Sequence, residues 1–311
     1  MQRRPVRRLA RQSPSQAGGP RHTSPEILAE DFLNTVAIFG VGLIGGSFAL
    51  ALRQAGFRGT ILGVSSAATL ERAIQLGVVD QAASAEDASQ QADLIFLAQP
   101  IFRILEIISV LDSLVSPYAL VTDAGSTKVQ IVQAAAGSIT RCQFLGGHPM
   151  AGKESRGVES AEASLFVGRP WVFTPTSPAD LDTGAARSLI DWVRRLGAVP
   201  LFASPQVHDR TVAYTSHLPQ LLSTMLAGLL PKQGPETSQF FGPGLIDMTR
   251  LAMSSFDLWA DILATNVTEI DSALSAYIAA LAELRSNLRS GDIATQFDEA
   301  TAFAAHLRRL P

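Results

Sequence analysis

The segment Val36-Ala37-Ile38-Phe39-Gly40-Val41-Gly42-Leu43-Ile44-Gly45 limits what this chain can fold into more than any other stretch. Four apolar residues run straight into a glycine turn, and an apolar helical pattern opens at about Leu43. In a strand–turn–helix of this kind the first glycine allows the tight turn. The second removes a Cβ where a pyrophosphate must approach, and the third lets the helix pack on the strand. Phosphates then rest on the free N–H groups at the positive end of the helix. Gly40, Gly42, Leu43, Ile44 and Gly45 are therefore candidate cofactor-binding residues for a dinucleotide. S-adenosylmethionine is the other ligand such a turn can take.

The second strand qualifies this. A site that selects NAD usually places a carboxylate about 20 residues on, where it holds the ribose 2′-hydroxyl. From Val36 to Leu70 there is no Asp or Glu, and the strand ends Gly63-Val64-Ser65-Ser66. Ser65 and Ser66 offer hydroxyls to a 2′-phosphate and nothing repels one, so the reading leans to NADP over NAD. No arginine follows directly; Arg72 lies two helical turns on.

From Val36 the chain alternates short apolar runs with longer amphipathic ones. Strands are expected at Val36–Phe39, Ile61–Val64, Asp93–Leu97, Leu120–Thr122, Phe144–Leu145, Trp171–Thr174 and Pro200–Phe202. Several are apolar throughout, as in a parallel sheet covered by helices on both faces. Helices are expected between them, at Ile44–Ala55, Ala67–Leu76, Ile101–Leu114 and Ala186–Leu196. After about Pro205 the strand signals stop, and long helices follow over Val207–Leu230, Phe256–Asn287 and Ile293–Leu307. The predicted fold is α/β plus all-α: a Rossmann-like, doubly wound parallel sheet, then a helical domain. The domains are placed at 34–204 (dinucleotide binding) and 205–311 (substrate and dimerisation). A single helix of some 30 residues, apolar at Trp259, Ile262, Leu263, Val267 and Ile270, needs neighbours on several sides and points to a homodimer.

Composition removes other classes. The net charge of −3 gives no electrostatic case for nucleic acid, and the single cysteine, Cys142, excludes an internal disulfide and a cysteine-based zinc site. No metal ligands are picked out. No apolar run reaches the roughly 18 residues that span a bilayer. The chain reads as a soluble cytoplasmic protein acting on a small molecule. Residues 1–33 are set apart as an Arg-rich tail expected to be disordered: Arg3, Arg4, Arg7, Arg8, Arg11 and Arg21 occur there with few apolar residues. No further domain is expected beyond the last helices.

Three other segments carry chemistry. Thr122-Asp123-Ala124-Gly125-Ser126-Thr127-Lys128 and Gly146-Gly147-His148-Pro149-Met150-Ala151-Gly152 each follow a strand, where the carboxyl ends of parallel strands meet a cofactor. Gly244-Leu245-Ile246-Asp247-Met248-Thr249-Arg250-Leu251-Ala252 lies in the helical half. A neutral His148 imidazole in its glycine-flanked turn can accept a hydroxyl proton near neutrality. Ser126 can hydrogen-bond the same hydroxyl or the nicotinamide, and it can at the same time cap the next helix. Arg250 can grip a carboxylate bidentately, with Asp247 three residues earlier on one helix face to orient it. Lys128 is read as either a substrate ligand or a surface residue.

Taken with Gly42–Ser47, these segments resemble the prephenate/arogenate dehydrogenases of tyrosine biosynthesis from about Val36 to Ala282. The resemblance implies oxidative decarboxylation. Hydride leaves the ring carbon bearing the 4-hydroxyl, the ring carboxylate departs as CO2, and prephenate becomes 4-hydroxyphenylpyruvate; arogenate would give tyrosine. It also implies that His217, in Ser216-His217-Leu218-Pro219, belongs to the substrate pocket. His208-Asp209 matches the family and is read as structural, while Lys153 and Glu154 are read as a gate. Two departures stand out. Ile246 replaces a usual arginine, which leaves Arg250 more alone and opens the side-chain specificity, and Ser255-Phe256-Asp257-Leu258-Trp259 replaces Ser-Pro-Glu-Leu-Trp. Prephenate is the favoured substrate and arogenate the alternative. The competing classes are another hydroxyacid dehydrogenase, a methyltransferase, or a non-catalytic NADP-sensing protein.

Overall fold

The computed structural model describes residues 33–153, 155–289 and 293–309. Its first half is an eight-stranded sheet. The strands are β1 (Thr35–Phe39), β2 (Thr60–Val64), β3 (Gln81–Ala82), β4 (Leu94–Leu97), β5 (Leu120–Asp123), β6 (Gln143–Pro149), β7 (Pro170–Thr174) and β8 (Val199–Phe202). Their spatial order is β3-β2-β1-β4-β5-β6-β7-β8. Helices α1 (Leu43–Gln54), α2 (Ala67–Gln75), α3 (Ala85–Gln91), α4 (Ile101–Leu111), α5 (Val129–Ser138) and α6 (Gly184–Arg195) connect them.

β1 shows why the apolar runs do not alternate. Val36 and Ile38 enter one core cluster with Phe48 and Leu52 of α1; Ala37 and Phe39 enter another with Ile104 and Ile108 of α4. All four β1 residues are at most 1% exposed, because helices cover both faces of the sheet. The chain leaves β1 for β2 on one side and reaches β4 on the other, so the order reverses between β1 and β4. That is the crevice where doubly wound sheets bind ligands. β1, β4, β5 and β6 are mutually parallel, so the turns after all four lie along one edge.

The structure departs from the sequence reading in three places. β7 runs antiparallel to β6, with His148 opposite Val172, so the sheet is not parallel throughout. The link between them carries a short 3-10 turn (Val158–Ser160) instead of a crossover helix, and without a crossover the strand returns in the opposite sense. β3 was missed because its two residues are exposed at the sheet edge and carry no apolar signal. The third departure lies in the helical half.

That half contains α7 (Pro205–Val212), a π-helical turn (Ala213–His217), α8 (Leu218–Leu229), α9 (Pro243–Thr249), α10 (Phe256–Thr265), α11 (Val267–Asn287) and α12 (Ala294–Leu307). The expected single helix over 256–287 is two, broken at Asn266, whose φ and ψ are −130° and 28°. The Asn266 side chain explains the break. Its Nδ2 donates to the carbonyl oxygen of Asp209, 2.9 Å away, so the residue is anchored to α7. Among the described residues no helix is long and apolar enough to cross a membrane. The Arg-rich segment of residues 1–32 lies outside the described residues.

Candidate active site

The glycine turn has the geometry its sequence predicts. Gly40 adopts φ +93°, a left-handed conformation that side chains rarely tolerate, and its amide donates to the carbonyl of Val64. A Cβ on Gly45 would stand 2.1 Å from the Gly40 carbonyl oxygen, so only glycine lets α1 approach β1 this closely. Gly42 is the opposite case. Nothing lies within 4 Å of where its Cβ would be, at the open N-terminus of α1. The first turn of α1 holds no acidic side chain. An open cradle ringed by free N–H groups fits a pyrophosphate. Gln99, in the turn after β4, adds a feature that sequence reasoning missed. Its Oε1 is buried without a hydrogen-bond partner beside Gly40, and it can accept from a ribose hydroxyl.

At the end of β2, Ser66 is occupied as the N-cap of α2, its hydroxyl accepting from the Thr69 amide. Ser65 precedes it, half-buried. Arg72 is ion-paired with Glu159.

The end of β5 and the turn that follows it are locked to β6 by a buried ion pair. Lys128 and Asp123 are both 0% exposed, and the Lys128 ammonium bonds Asp123 while donating to the Gly147 carbonyl at 2.8 Å. Asp123 Oδ1 accepts from the Gly147 amide at 3.0 Å, and Oδ2 from the Gly125 amide at 2.8 Å. Burial pulls the Lys128 pKa down and the Asp123 charge opposes it. The surface reading of Lys128 is thereby corrected, because its ammonium is enclosed by Asp123 and Gly147. It holds the β6 backbone one residue before His148.

Ser126 is half-buried in the same turn. The reading of Ser126 as helix cap is also corrected: the first free amides of α5, those of Lys128 and Val129, are taken by Asp209 at 2.7 and 2.9 Å. A carboxylate accepting several N–H groups at a helix start satisfies orphan donors and opposes the helix dipole.

His148 meets the helical half directly. Its Nδ1 lies 2.8 Å from Nε2 of His208, and His208 Nδ1 lies 2.7 Å from Asp209 Oδ1. The structural reading of His208-Asp209 was therefore incomplete: the pair reaches the candidate base. Burial holds the His148 pKa well below the usual histidine range, and the positive charge of protonated His208, of Lys128 and of protonated His217 adds to the effect. Burial also lowers His208, against the opposing pull of Asp209. His217 is 1% exposed and is pushed down to about 4, again chiefly by burial. Asn266 Nδ2 lies 3.3 Å from His217 Nδ1. Because the same nitrogen donates to a carbonyl, it faces His217 as a donor, which leaves the His217 proton on Nε2. The His217 ring stands edge-on to Trp259, with centroids 5.8 Å apart.

Arg250 and Asp247 lie on the exposed surface of the helical half, at and just before the C-terminus of α9. The turn that follows is pinned to α8, since Gln220 donates to the Leu251 carbonyl at 2.8 Å and the Ala252 amide donates to Ser223 at 3.0 Å. Lys153 is ion-paired with Glu162, whose amide donates to Ser47 of α1. Glu154, the other expected gate residue, lies outside the described residues. Among the described residues no cluster of His, Cys, Asp or Glu has the form of a metal site.

A glycine cradle at a sheet switch point, with a neutral histidine on β6 at the same carboxyl edge of the sheet, defines a two-domain dinucleotide-dependent dehydrogenase. Residues 48–200 match the family model described as prephenate dehydrogenase, nucleotide-binding domain, and residues 204–303 match prephenate dehydrogenase, dimerization domain. A prephenate dehydrogenase of Bacillus subtilis is 31% identical over 85% of this chain and 72% of its own. The solved prephenate dehydrogenase of A. aeolicus, in complex with hydroxyphenyl propionate and NAD+, superposes with TM-score 0.81. It is 30% identical over 90% of this chain and 99% of that one. A Synechocystis arogenate dehydrogenase gives TM-score 0.73 at 30% identity, over 88% and 98% of the two chains. The chain belongs to the prephenate/arogenate dehydrogenase family and is an oxidoreductase that uses a nicotinamide dinucleotide.

Proposed function

We propose that this protein carries out the oxidative decarboxylation of prephenate to 4-hydroxyphenylpyruvate. The observation that carries the reading is the position of His148. It lies on the strand edge that bears the dinucleotide cradle, and it is hydrogen-bonded to the helical half that holds His217 and Arg250. The dinucleotide, when bound in the Gly40–Gly45 cradle, supplies the hydride acceptor. His148, neutral through burial, takes the proton of the substrate's 4-hydroxyl as hydride leaves the same carbon. Ser126 hydrogen-bonds that hydroxyl, and the His217 Nε2–H donates to the substrate from the other side of the pocket. As CO2 departs, the electron pair of the broken C–C bond completes the aromatic ring. Arg250 orients the ring carboxylate, with Asp247 beside it on α9; a grip that tightened in the ground state would slow loss of the group.

The acid-free end of β2 supports NADP as at least an equal of NAD, with Ser65 and the N-terminus of α2 receiving the 2′-phosphate. The exposed apolar side chains of the helical half support a homodimer. The limits 34–204 and 205–311 are the proposed domains. Arogenate is the second reading, favoured by the relationship to the Synechocystis enzyme and by Ile246, which withholds a cation from the substrate side chain.

Steady-state assays crossing prephenate and arogenate with NAD and NADP, with CO2 measured, test all of this. Turnover of prephenate with CO2 release is expected. No CO2 from either acid would overturn the reading, and a hundredfold preference for NAD would overturn the cofactor assignment. Arg250→Ala should chiefly raise KM for the acid; an unchanged KM removes Arg250 from that role.

A further inference from the structure

Behind His148 stand two buried groups whose hydrogen-bonding options can be worked through one by one. Asp209 is 1% exposed and accepts the amides of Lys128 and Val129. An ionised carboxylate only accepts, so its third partner, His208 Nδ1 at 2.7 Å, must carry a proton. His208 is 3% exposed, and burial keeps its ring neutral near pH 7. A neutral imidazole has one N–H, so Nε2 of His208 is a bare lone pair. That lone pair faces His148 Nδ1 at 2.8 Å, and His148 must donate to it. Once the His148 proton is on Nδ1, its Nε2 is the free acceptor.

We propose that His208 and Asp209 are positioning residues that fix His148 as its Nδ1–H tautomer, so that Nε2 is the base presented to the substrate hydroxyl. This rests on the role of His148 given above and adds to it the means by which one nitrogen is selected. It also explains why α7 reaches across to the sheet. Asp209 caps α5 with both oxygens and sets the far end of the relay with Oδ1, so the strand-edge turn and the base are registered against one residue. When Nε2 takes the substrate proton, the imidazolium that forms donates from Nδ1 towards His208, and the Asp209 carboxylate lies one ring further. The other charged or titratable groups acting on His148 are Lys128, whose charge Asp123 balances, and His217. Asp209 is the only acid aligned with the ring through a hydrogen-bonded chain among these groups. The effect is the orientation of a histidine by a buried acceptor, familiar wherever tautomer decides which nitrogen reacts.

The test begins with the wild-type protein without substrate. With 15N-labelled histidine at pH near 8, His148 should show a protonated Nδ1 and a bare Nε2; a protonated Nε2 overturns the proposal. His208→Leu removes the acceptor, so His148 should shift toward the Nε2–H form and kcat should fall about 10²- to 10⁴-fold, with cofactor affinity kept. His208→Gln places a carbonyl oxygen where Nε2 was, an atom that can only accept. It should restore the tautomer and bring kcat to within about tenfold of wild type, the scale of one imperfect hydrogen bond. Equal losses in the two variants overturn the proposal, since a purely structural role would not separate them. Should the Leu variant not fold, the wild-type tautomer and the Gln variant still decide. The tautomer is read without turnover, so a protein inactive on prephenate would refute the functional reading and leave this one standing.

Discussion

The strands of the sheet half and the helices of the helical half dispose of their apolar residues in opposite ways. Around β1 and β4, Val36, Ile38, Phe96 and Leu97 are all 0% exposed, sealed by helices from the same chain. In α11, Ile270 and Ala273 are buried with Ala213 of the π-helical turn and Leu218 of α8, yet Ile278 remains 63% exposed and Leu281 46%. In α12, Phe297 and Phe303 are 64% and 63% exposed. A doubly wound sheet completes its core within one chain. A layer of helices with apolar residues on two faces completes only one of them within the chain, and apolar residues left exposed on a helical face are candidate contact surfaces. This agrees with the match of residues 204–303 to a dimerization domain. The half that closes on itself carries the cradle and His148; the half that does not is where the proposed homodimer would form.

The comparison can be broken first at the base. If the sheet edge carries the chemistry, His148→Asn should lower kcat by about 10²- to 10⁴-fold while dinucleotide affinity, measured by titration, stays unchanged. An unchanged kcat would move the chemistry elsewhere. Next in size is the buried pair. Lys128→Met leaves Asp123 charged and uncompensated inside the protein, at about 3–5 kcal/mol of stability by denaturant unfolding. A loss below about 1 kcal/mol, the scale of a surface pair, would contradict the enclosure described here.

The pH dependence has a definite sign. His148, His208 and His217 all have folded pKa values below the ordinary 6.5. As pH falls the unfolded chain takes up these protons first, so stability is lost from about 6.5 downward, continuing for His217 to about 4. Tm should drop across that window, and the acid limb of kcat/KM should lie below 6.5, where His148 is still neutral. A Tm flat from pH 7 to 5 would show the cluster to be solvated. The smallest effect on folding belongs to the helical half. Ile278→Asp should leave monomer stability within about 0.5 kcal/mol, as for other exposed positions. In sedimentation it should shift the protein from dimer to monomer; a persisting dimer would place the interface on another face.

The sequence made the sheet legible because its signals are local. Apolar runs such as Val36–Phe39 and Asp93–Leu97 need no partner to be recognised, and the glycine spacing carries its own steric logic. The site was legible only in part. Gly40 and Gly45 frame a strand-to-helix turn, and His148 a glycine-flanked segment, whose purpose is visible from flanking residues, although His148 proves to lie within β6 and not in a turn. The His148–His208 contact joins positions 60 residues apart, and no local pattern encodes it. Lys128 and Asp123 were both inside a conspicuous motif, yet whether a lysine folds inward to meet an acid five residues back depends on the neighbouring strand. The break at Asn266 was hidden for a related reason. Asparagine inside a helix is only mildly unfavourable, and the carbonyl that captures it comes from α7.

Asn266 also ties separate elements of the helical half together. One carboxamide bridges the Asp209 backbone and the His217 ring, and α11 begins at the very next residue. The helix that carries the exposed Ile278 and Leu281 therefore starts at the residue that contacts both Asp209 and His217. Under the proposed homodimer, a movement of that helix about its base would be felt first at Asn266 and the His217 ring.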